Sequence, residues 1–498
     1  MKKIKIKNSK WKEYTIISIF ILGMVFLFMY VTGIIQSGYH LLDDHEFYVV
    51  GKLFPQNGFW QTLISEIKYD LNFRFRPLYR FFRTIGIYFW GTNWKLWYLG
   101  RMLQVSCTLI LFYIFARERG ANIVLSLIFG LLILFGEQSS GWWRLGPQEG
   151  LGIMLMACSF VTTLLLGRRN TIQRKLLFIV SLILLSLQKE SFLMTVPAFF
   201  VLLLVQEIHE KQIDDEENYL IIFSKFVKRH KSEVIIILVI LLIEAYVIIN
   251  YVGTNTIVYA GYSNELPIVE YFHGMINILK TNGFKYLILV VISNLFLQIE
   301  MKRENCSKIL LFEIVFCLYI FITQLFLHAM SGMWERYLIP WVVSISYFVV
   351  IIGFRIMEKN SRLILAYIGI LILFFIETNV VELACDFSEE GNDIRNCAYF
   401  IEEYSNSDAL IMATANGHEK NMAFLMFMEE EYGYNNKSEW SREIEELDID
   451  KFKNADIIWG YNGTVYNVMK DDAGLNLDDY NVYMTSIYEV AIKKEVSN

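Results

Sequence analysis

Long apolar runs alternate with short polar segments over the first three quarters of this chain. Each run holds roughly 17–25 apolar residues, which is enough to cross ~30 Å of hydrocarbon as a helix. The runs lie near residues 14–35, 96–116, 121–137, 149–166, 176–189, 191–206, 233–251, 284–300, 308–329, 337–355 and 363–380. This pattern predicts an all-α polytopic membrane protein with about eleven transmembrane helices. The pair around Lys189 and Glu190 has the shortest members.

The composition agrees with this pattern. Hydrophobic residues make up 55% of the 498 and aromatic residues 16%, and the mean hydropathy is +0.39. These values exceed those of soluble domains. The sequence has no P-loop and no GxGxxG after a strand, so nothing supports nucleotide chemistry at the inner face, and no nucleic-acid partner is expected.

The basic residues predict the orientation of the chain. The segment MKKIKIKNSKWK precedes the first run without a small-residue cleavage site, which predicts an uncleaved anchor and a cytoplasmic amino terminus. Threading from there places five loops rich in Lys and Arg inside, as the positive-inside rule requires. They are residues 117–120, 167–175, 207–232, 301–308 and 355–362. We therefore predict a multi-pass protein of the cell membrane.

The periodic runs stop near residue 380, and a polar, acidic segment follows. Residues 381–498 hold 9 Lys and Arg against 25 Asp and Glu, a net charge of −16. The segment mixes expected strands (ALIMAT, ADIIWGY, YNVYMTSIYEVAI) with expected helices (390–404, 418–432, 441–453). We predict a membrane domain over residues 1–380 and a small α/β extracytoplasmic domain over residues 381–498.

The six cysteines show no CxxC and no metal-ligand spacing. Four fall within or beside membrane segments, where cysteine is usually a small packing residue. Cys385 and Cys397 both lie in the exported segment. The sequence leaves open whether they form a disulfide or remain free thiols.

Charged residues collect at the outer end of the first run, in LLDDHEFY, residues 41–48. The loop that follows reaches residue 95 and is rich in aromatic residues and arginine, which predicts interfacial helices. We interpret Arg80 and Arg83 as reaching toward lipid headgroups. Arg74 and Arg76 precede Pro77 in a segment expected to be extended, and they are better placed to enter a cleft.

Three further polar clusters are predicted on the same side. Ionisable groups at membrane depth are functional candidates. For Lys189 and Glu190, the alternative is a turn closed by an ion pair between them. For Arg336, the alternative is an ion pair with Glu335. A solvated acidic helix end is likewise an alternative for LLDDHEFY. The clusters are GEQSSGWWRLGPQEG with Arg144 and Glu149, LSLQKESFLM with Lys189 and Glu190, and HAMSGMWERYLIP with Glu335, Arg336 and Tyr337.

The motifs LLDDHEFY, RFRPLYRF, QKESF and ERYLIP occur in this order on one predicted side. In this respect residues 15–345 resemble the GT-C superfamily of polytopic glycosyltransferases. By motif, the chain is most similar to the protein O-mannosyltransferases, including the TMTC type.

The resemblance implies transfer of a hexosyl group from a polyprenyl-phosphate carrier to an acceptor at the outer surface, with inversion. It implies no cofactor, no metal site and at most a weak dependence on divalent metal. Asp43 would be the general base, with Asp44 and Glu46 beside it. The residues expected to bind substrate are Arg74, Arg76, Arg144, Glu149, Lys189, Glu190, Arg336 and Tyr337.

The chain departs from the mannosyltransferase pattern because it lacks their repeats and sugar-binding inserts and ends in its own acidic segment. The expected partners are therefore the lipid-linked donor, membrane lipids and an acceptor of unknown class, a glycan, lipid or protein. The richness in Lys, Ile and Asn is typical of a low-GC bacterium, which would make a cell-envelope glycan the product.

Two other functions fit the same outer cluster. A transporter or flippase of lipid-linked glycans would need polar groups through the membrane or broken helices in matching halves. The runs are instead nearly all Ile, Leu, Val and Phe, with only 6 prolines in the chain. A lipid-linked glycan polymerase or ligase would be expected to carry a large outer loop between late spans, whereas here the acidic segment is terminal.

Overall fold

The computed structural model describes residues 2–214, 217–252, 268–280, 284–301, 308–329, 335–359, 361–406, 408–413, 418–434, 455–467, 469 and 475–495. Helices form most of this part. They are α1 Lys2–Val31, α2 His45–Asp70, α3 Pro77–Trp90, α4 Trp94–Glu118, α5 Ile123–Leu134, α6 Ser140–Trp143, α7 Glu149–Arg168, α8 Ile172–Ser186, α9 Glu190–Leu193, α10 Ala198–His209, α11 Tyr219–Arg229, α12 Lys231–Val247, α13 Ile268–Lys280, α14 Phe284–Met301, α15 Lys308–His328, α16 Ile339–Lys359, α17 Ser361–Glu377, α18 Val380–Tyr404, α19 His418–Tyr432 and α20 Thr464–Asn467.

The helices form a bundle with two ends, named here by one residue at each. At the Arg119 end, Arg168 pairs with Glu118 at 2.6 Å, and Arg119 binds Gln206 at 3.1 Å. At the Asp43 end, the Leu78 amide donates to the Leu187 carbonyl at 3.0 Å, and the Tyr286 hydroxyl donates to Gln138 at 2.6 Å. The chain therefore runs repeatedly from one end of the bundle to the other.

Eight helical stretches of the described chain are long and apolar enough to cross a membrane, and two of these join consecutive helices, α9 with α10 and α17 with α18. There are ten spans if each of two bent helix pairs is also counted as one. The difference from the eleven predicted is α8, whose 15 residues are few for a crossing. Near its start, Arg174 donates to the Leu165 carbonyl at the Arg119 end. Just after it, Gln188 donates to the Gln148 carbonyl at the Asp43 end. The short helix thus also runs from one end to the other.

Aromatic rings fill the bundle between the two ends. Their centroids lie 4.8–6.3 Å apart, in edge-to-face and tilted arrangements that suit aromatic packing. The members are Phe112, Phe115, Phe129, Phe160, Phe316 and Tyr347, from the five helices α4, α5, α7, α15 and α16. This layer separates the polar groups at one end from those at the other.

The loop after α1 contains the antiparallel pair α2 and α3. Helix α3 exposes Phe81, Phe82 and Phe89 on one face and buries Arg80 and Arg83 on the other. Apolar rings therefore face outward, as expected of interfacial helices. Our interpretation that Arg80 and Arg83 reach toward headgroups is wrong, because carboxylates of α2 pair with them inside the protein.

The carboxyl-terminal segment forms a four-stranded sheet, with strands β1 Ile411–Ala413, β2 Ile457–Tyr461, β3 Tyr480–Met484 and β4 Tyr488–Lys493 in the order β1-β2-β4-β3. Strands β1 and β2 are parallel, and β2, β4 and β3 pair antiparallel. The α/β class is confirmed, and helix α19 matches the expected 418–432. Helix α18 ends at the expected residue 404 but begins at Val380, ten residues before the predicted start at 390. The helix expected at 441–453 lies outside the described residues.

Helix α18 joins the sheet to the Asp43 end of the bundle. Its Asp393 accepts from the Ile487 amide at 2.7 Å, whereas its Gly391 lies against the first loop. A Cβ at Gly391 would come within 2.5 Å of the Ser37 carbonyl oxygen. Cys385 and Cys397 are both free, because twelve residues of helix separate them by about 18 Å, too far for a disulfide.

Candidate functional site

The turn at residues 40–44 presents the first predicted carboxylates. Oδ2 of Asp44 accepts the backbone amides of His40 at 2.6 Å and Leu41 at 3.0 Å. Leu41 and Asp43 both have a φ of 57°, a conformation that L residues adopt only under local constraint. Asp44 is buried and directed at the backbone, so it holds the turn while Asp43 remains half-buried at its tip.

Asp43 packs against the loop between α5 and α7. A Cβ on Gly146 would lie 1.7 Å from the Leu42 carbonyl oxygen and 2.8 Å from Cβ of Asp43. Only glycine allows this approach. The Gly146 carbonyl also accepts a hydrogen bond from Arg83. This one residue thus brings Asp43 and a buried guanidinium to the same place.

Glu46 lies in an ion network between α2 and α3. Its carboxylate is 2.8 Å from Arg80 and 3.4 Å from Arg83, and it accepts the Tyr79 hydroxyl at 2.5 Å. Burial raises the pKa of Glu46, but Arg80, Arg83 and Arg76 outweigh burial and bring it to about 2. A carboxylate bound in this way is a poor base and a good anchor for Arg83.

Arg76 belongs to the same network. Its Nε donates to both carboxylate oxygens of Asp70 at 2.9 Å. Arg80 reaches the same Asp70 at 2.8 Å. Arg76 therefore fixes the extended segment before α3.

Four predicted residues do come together in a buried cluster. Lys189 lies 2.7 Å from Glu149, with both side chains 3% exposed, and its ammonium lies 4.0 Å from the centre of the Tyr337 ring. The Arg336 guanidinium stacks over the same ring at 5.3 Å. The His328 ring is parallel to Tyr337, with centroids 5.2 Å apart.

The charges of this cluster also reach Asp43 and Arg74. Burial lowers the pKa of Arg336, but Glu149, Tyr337 and Asp43 outweigh it and raise the pKa above its usual value. Lys189 lowers the pKa of Tyr337, and Arg336 and Arg74 contribute in the same direction against the effect of burial. Asp43 therefore lies within electrostatic range of an excess of cations.

Two predicted residues have partners away from this cluster. Glu190 accepts the Phe75 amide at 2.8 Å and so ties the extended segment to the start of α9. Arg144 pairs with Glu390 of α18 at 3.3 Å and stacks on Phe387 at 4.2 Å. The side chain of Glu335 lies outside what the structure describes.

Glu390 continues this contact into the carboxyl-terminal segment. Lys420 of α19 lies 2.8 Å from Glu390 and donates to the Tyr461 hydroxyl at 2.7 Å. Next to it, Nε2 of His40 lies 2.8 Å from the Phe387 carbonyl oxygen. The carboxyl-terminal segment is thereby joined to the turn that carries Asp43.

A groove opens beside the site between α3 and α4. Its cavity of about 360 Å³ is lined by Phe82, Phe89, Trp90 and Trp97, and Arg83 and Arg101 also line it. Arg101 was missed from sequence, although an arginine inside the apolar run of α4 (WYLGRMLQ) was a usable signal.

Arg101 binds only neutral acceptors among the described residues. Its guanidinium donates to Gln104 at 2.9 Å, to the Leu145 carbonyl at 3.2 Å and to the Pro147 carbonyl. These contacts leave its positive charge in a largely apolar groove without a paired carboxylate in the part of the chain that the structure describes. The arrangement suits a molecule with an apolar chain and an anionic head.

No group of three or more His, Cys, Asp or Glu side chains within the described ranges is arranged to hold a metal ion. The weak dependence on divalent metal implied by the resemblance remains a prediction.

Comparison with known proteins gives structural neighbours only. No family model matches the chain, and no curated protein matches it. A crystal structure of ArnT from Cupriavidus metallidurans bound to undecaprenyl phosphate aligns with a TM-score of 0.49 at 11% identity, covering 95% of this chain and 97% of that one. The apo form of ArnT aligns with a TM-score of 0.42 at 11% identity, covering 94% and 97%.

Proposed function

We propose that this protein is a membrane glycosyltransferase that moves a sugar from a polyprenyl-phosphate donor to an acceptor at the outer face of the cell membrane. The apolar groove would take the start of the polyprenyl chain. Arg101 and Arg83 would meet the phosphate. The sugar would then lie beside Gly146 and Asp43, and the Lys189 cluster would face the phosphate from the side opposite the groove.

The charge of Arg101 in the groove, which forms no ion pair with a described carboxylate, carries this proposal. A guanidinium buried against apolar side chains is costly unless an anion binds it. Arginine suits phosphate because its planar donors match two phosphate oxygens. The aromatic side chains that line the groove are apolar, and an isoprenoid chain is apolar as well.

Asp43 is the group best placed to act as the base. It is half-buried at the tip of the turn, whereas Glu46 is bound by Arg80 and Tyr79 and Asp44 is committed to the backbone. In the proposed step, Asp43 removes the proton from the acceptor nucleophile as that atom bonds to the anomeric carbon. The bond from this carbon to the phosphate oxygen breaks, and the phosphate leaves with the electron pair.

The cations around the site would stabilise the departing phosphate. Lys189 and Arg336 lie over the Tyr337 ring, and Arg74 is near enough to lower the pKa of Tyr337, whereas Glu149 neutralises only part of this charge. Cations that are already in position before the charge develops lower the barrier without reorganisation. Attack from the face opposite the leaving phosphate gives inversion.

The middle of the bundle favours transfer over translocation. The ring layer formed by Phe112, Phe160 and their neighbours fills the space between the two ends. A flippase needs a polar route for the glycan head along this path.

Purified protein in liposomes would test the proposal directly. A polyprenyl-phosphate sugar labelled in the sugar should lose its label to an acceptor, with free polyprenyl phosphate as the second product. A nucleotide sugar and a polyprenyl-diphosphate glycan serve as alternative donors. Movement of intact donor between leaflets without cleavage would indicate a flippase, and use of the diphosphate donor alone would indicate a polymerase or ligase.

A further inference from the structure

Tyr98 of α4 is fully buried, and its hydroxyl group lies against the segment that leads to Asp43. The hydroxyl oxygen is 2.8 Å from Oγ of Ser37 and donates to the Gly38 carbonyl at 2.9 Å. It is also 3.3 Å from the Trp143 carbonyl oxygen, which belongs to the loop between α5 and α7. A single hydroxyl group of α4 thereby contacts two separate loops of the site.

His40 extends this contact to the turn. Its Nε2 lies 2.8 Å from the Phe387 carbonyl oxygen, and because a carbonyl can only accept, Nε2 carries a proton. Burial lowers the pKa of His40 to about 4, so the ring is neutral and Nδ1 is an acceptor. Nδ1 lies 3.4 Å from the Tyr98 hydroxyl, and the backbone amide of His40 donates to Asp44 at 2.6 Å. Tyr98 is thus two contacts away from the carboxylate that holds the turn.

Helix α4 also reaches Asp43 from a second direction. Arg101 follows Tyr98 by one helical turn, so the two side chains leave neighbouring positions on the helix surface. Arg101 donates to the Leu145 carbonyl at 3.2 Å. The next residue, Gly146, packs against Asp43. The same stretch of α4 therefore contacts both the turn and the loop that packs on it.

We propose that Tyr98 is a positioning residue that fixes the distance between Asp43, the proposed base, and the donor phosphate at Arg101. This inference rests on the proposed function. The turn needs support from outside, because Leu41 and Asp43 both have a φ of 57° and such a backbone persists only where surrounding contacts over-determine it. The Tyr98 hydroxyl gives this support from the helix that also carries the phosphate-binding guanidinium. Tyr98 acts through the turn and does not contact the reacting atoms.

Transfer and donor binding, measured separately for Tyr98→Phe, test this role. The variant removes the hydroxyl group and keeps the ring, so donor affinity should be unchanged. Transfer should fall roughly 10–100-fold, because a misplacement of ~1 Å can lower a rate by ~10²-fold. Tyr113→Phe is the matched control, since it removes a hydroxyl group from the same helix near the Arg119 end, where Tyr113 donates to Glu13 at 2.7 Å. It should leave transfer unchanged.

The Asp43→Asn background separates positioning from a general loss of structure. The asparagine has no basicity to misplace, so adding Tyr98→Phe there should cause no further decrease in single-turnover transfer. Ser37→Ala removes one partner of the hydroxyl and should give a smaller decrease that also disappears in this background. It repeats the comparison if the melting temperature of Tyr98→Phe is below the assay temperature.

Three results would overturn this inference alone. They are normal transfer in Tyr98→Phe, a decrease in transfer matched by an equal loss of donor affinity, and the same fractional decrease in both backgrounds. Near-normal transfer in Asp43→Asn itself would overturn the proposed function together with this inference.

Discussion

Nζ of Lys189 lies 2.7 Å from Oε1 of Glu149, and each of the two side chains is 3% exposed. A buried pair of this kind has little net effect on stability when intact, but removing one partner leaves an uncompensated charge at a cost of about 3–5 kcal/mol. We expect Lys189→Met to lower the melting temperature strongly. Thermal unfolding in detergent, followed by tryptophan fluorescence, measures the change.

The double variant Lys189→Met with Glu149→Gln separates this structural effect from a catalytic one. It removes both charges of the pair, so most of the lost stability should return. Transfer should stay low, because the cation near the phosphate is still absent. A single variant as stable as the wild type would show that water reaches the pair.

Asp43→Asn keeps the shape of the side chain and removes its basicity. Loss of a general base lowers the rate by ~10²–10⁴-fold, so we expect a decrease of this size in transfer with donor binding retained. The liposome assay and a donor-binding measurement check both parts. Near-normal transfer would end the assignment of Asp43 as the base.

Arg101→Gln should weaken binding of the carrier lipid without unfolding the protein. The glutamine can still donate to the neighbouring carbonyl groups, but it has no charge for a phosphate. One lost charged hydrogen bond of ~1.5–3 kcal/mol corresponds to roughly 10–100-fold in affinity. Binding of polyprenyl phosphate is the measurement, and Lys225→Gln at the Arg119 end is the matched control. Equal effects in both variants would contradict a specific site.

Asp44→Asn should show a pH dependence of known sign. Burial raises the pKa of Asp44 to about 7 although the amides of His40 and Leu41 lower it. The native state therefore keeps a proton that the unfolded chain, with a pKa near ~3.9, has lost. The stabilisation from this proton is present at low pH and disappears as the pH rises through about 4–7.

The variant has no such proton and keeps an oxygen acceptor. Its melting temperature minus that of the wild type should therefore be more positive at pH 8 than at pH 5. Burial lowers the pKa of His40 to about 4, which gives the opposite slope, but His40 is present in both proteins and its effect cancels in the difference. If the melting temperature of the variant minus that of the wild type became smaller as the pH rises, the burial of this carboxyl group would be refuted.

The orientation of the chain can be tested with cysteines. In a Cys385→Ser background, Tyr399→Cys on the exposed face of α18 should react with a membrane-impermeant thiol reagent in intact cells. Arg169→Cys at the Arg119 end should react only after permeabilisation. The reverse result would place the Asp43 end in the cytoplasm and remove the basis for a site at the outer surface.

Hydrophobic periodicity predicted most of the fold because a membrane crossing requires a continuous apolar helix. It also placed Asp43, Glu149, Lys189 and Arg336 at one end, since loops between successive crossings alternate in side. Periodicity could not tell which face of α3 is inward, so Arg80 and Arg83 were assigned to the headgroups. Their partners Glu46 and Asp70 lie in α2, and no local pattern specifies such pairing.

The contacts of Arg144 and Glu190 show a second limit. Arg144 pairs with Glu390, more than two hundred residues away, and Glu190 binds a backbone amide that has no signature in sequence. Charge alone cannot distinguish a side chain that binds substrate from one that holds two segments together. Such distinctions require the geometry.

The contact of Gly391 with Ser37 has a consequence for biosynthesis. The turn around Asp43 is made early on the ribosome, but α18, which packs on it, is made only after every membrane crossing is complete. Chains fold from the amino terminus onward during synthesis, and contacts between distant segments form last. Asp43, the proposed base, therefore reaches its final position only when translation is nearly finished, so under the proposed mechanism a nascent chain already inserted in the bilayer would not turn over the donor lipid.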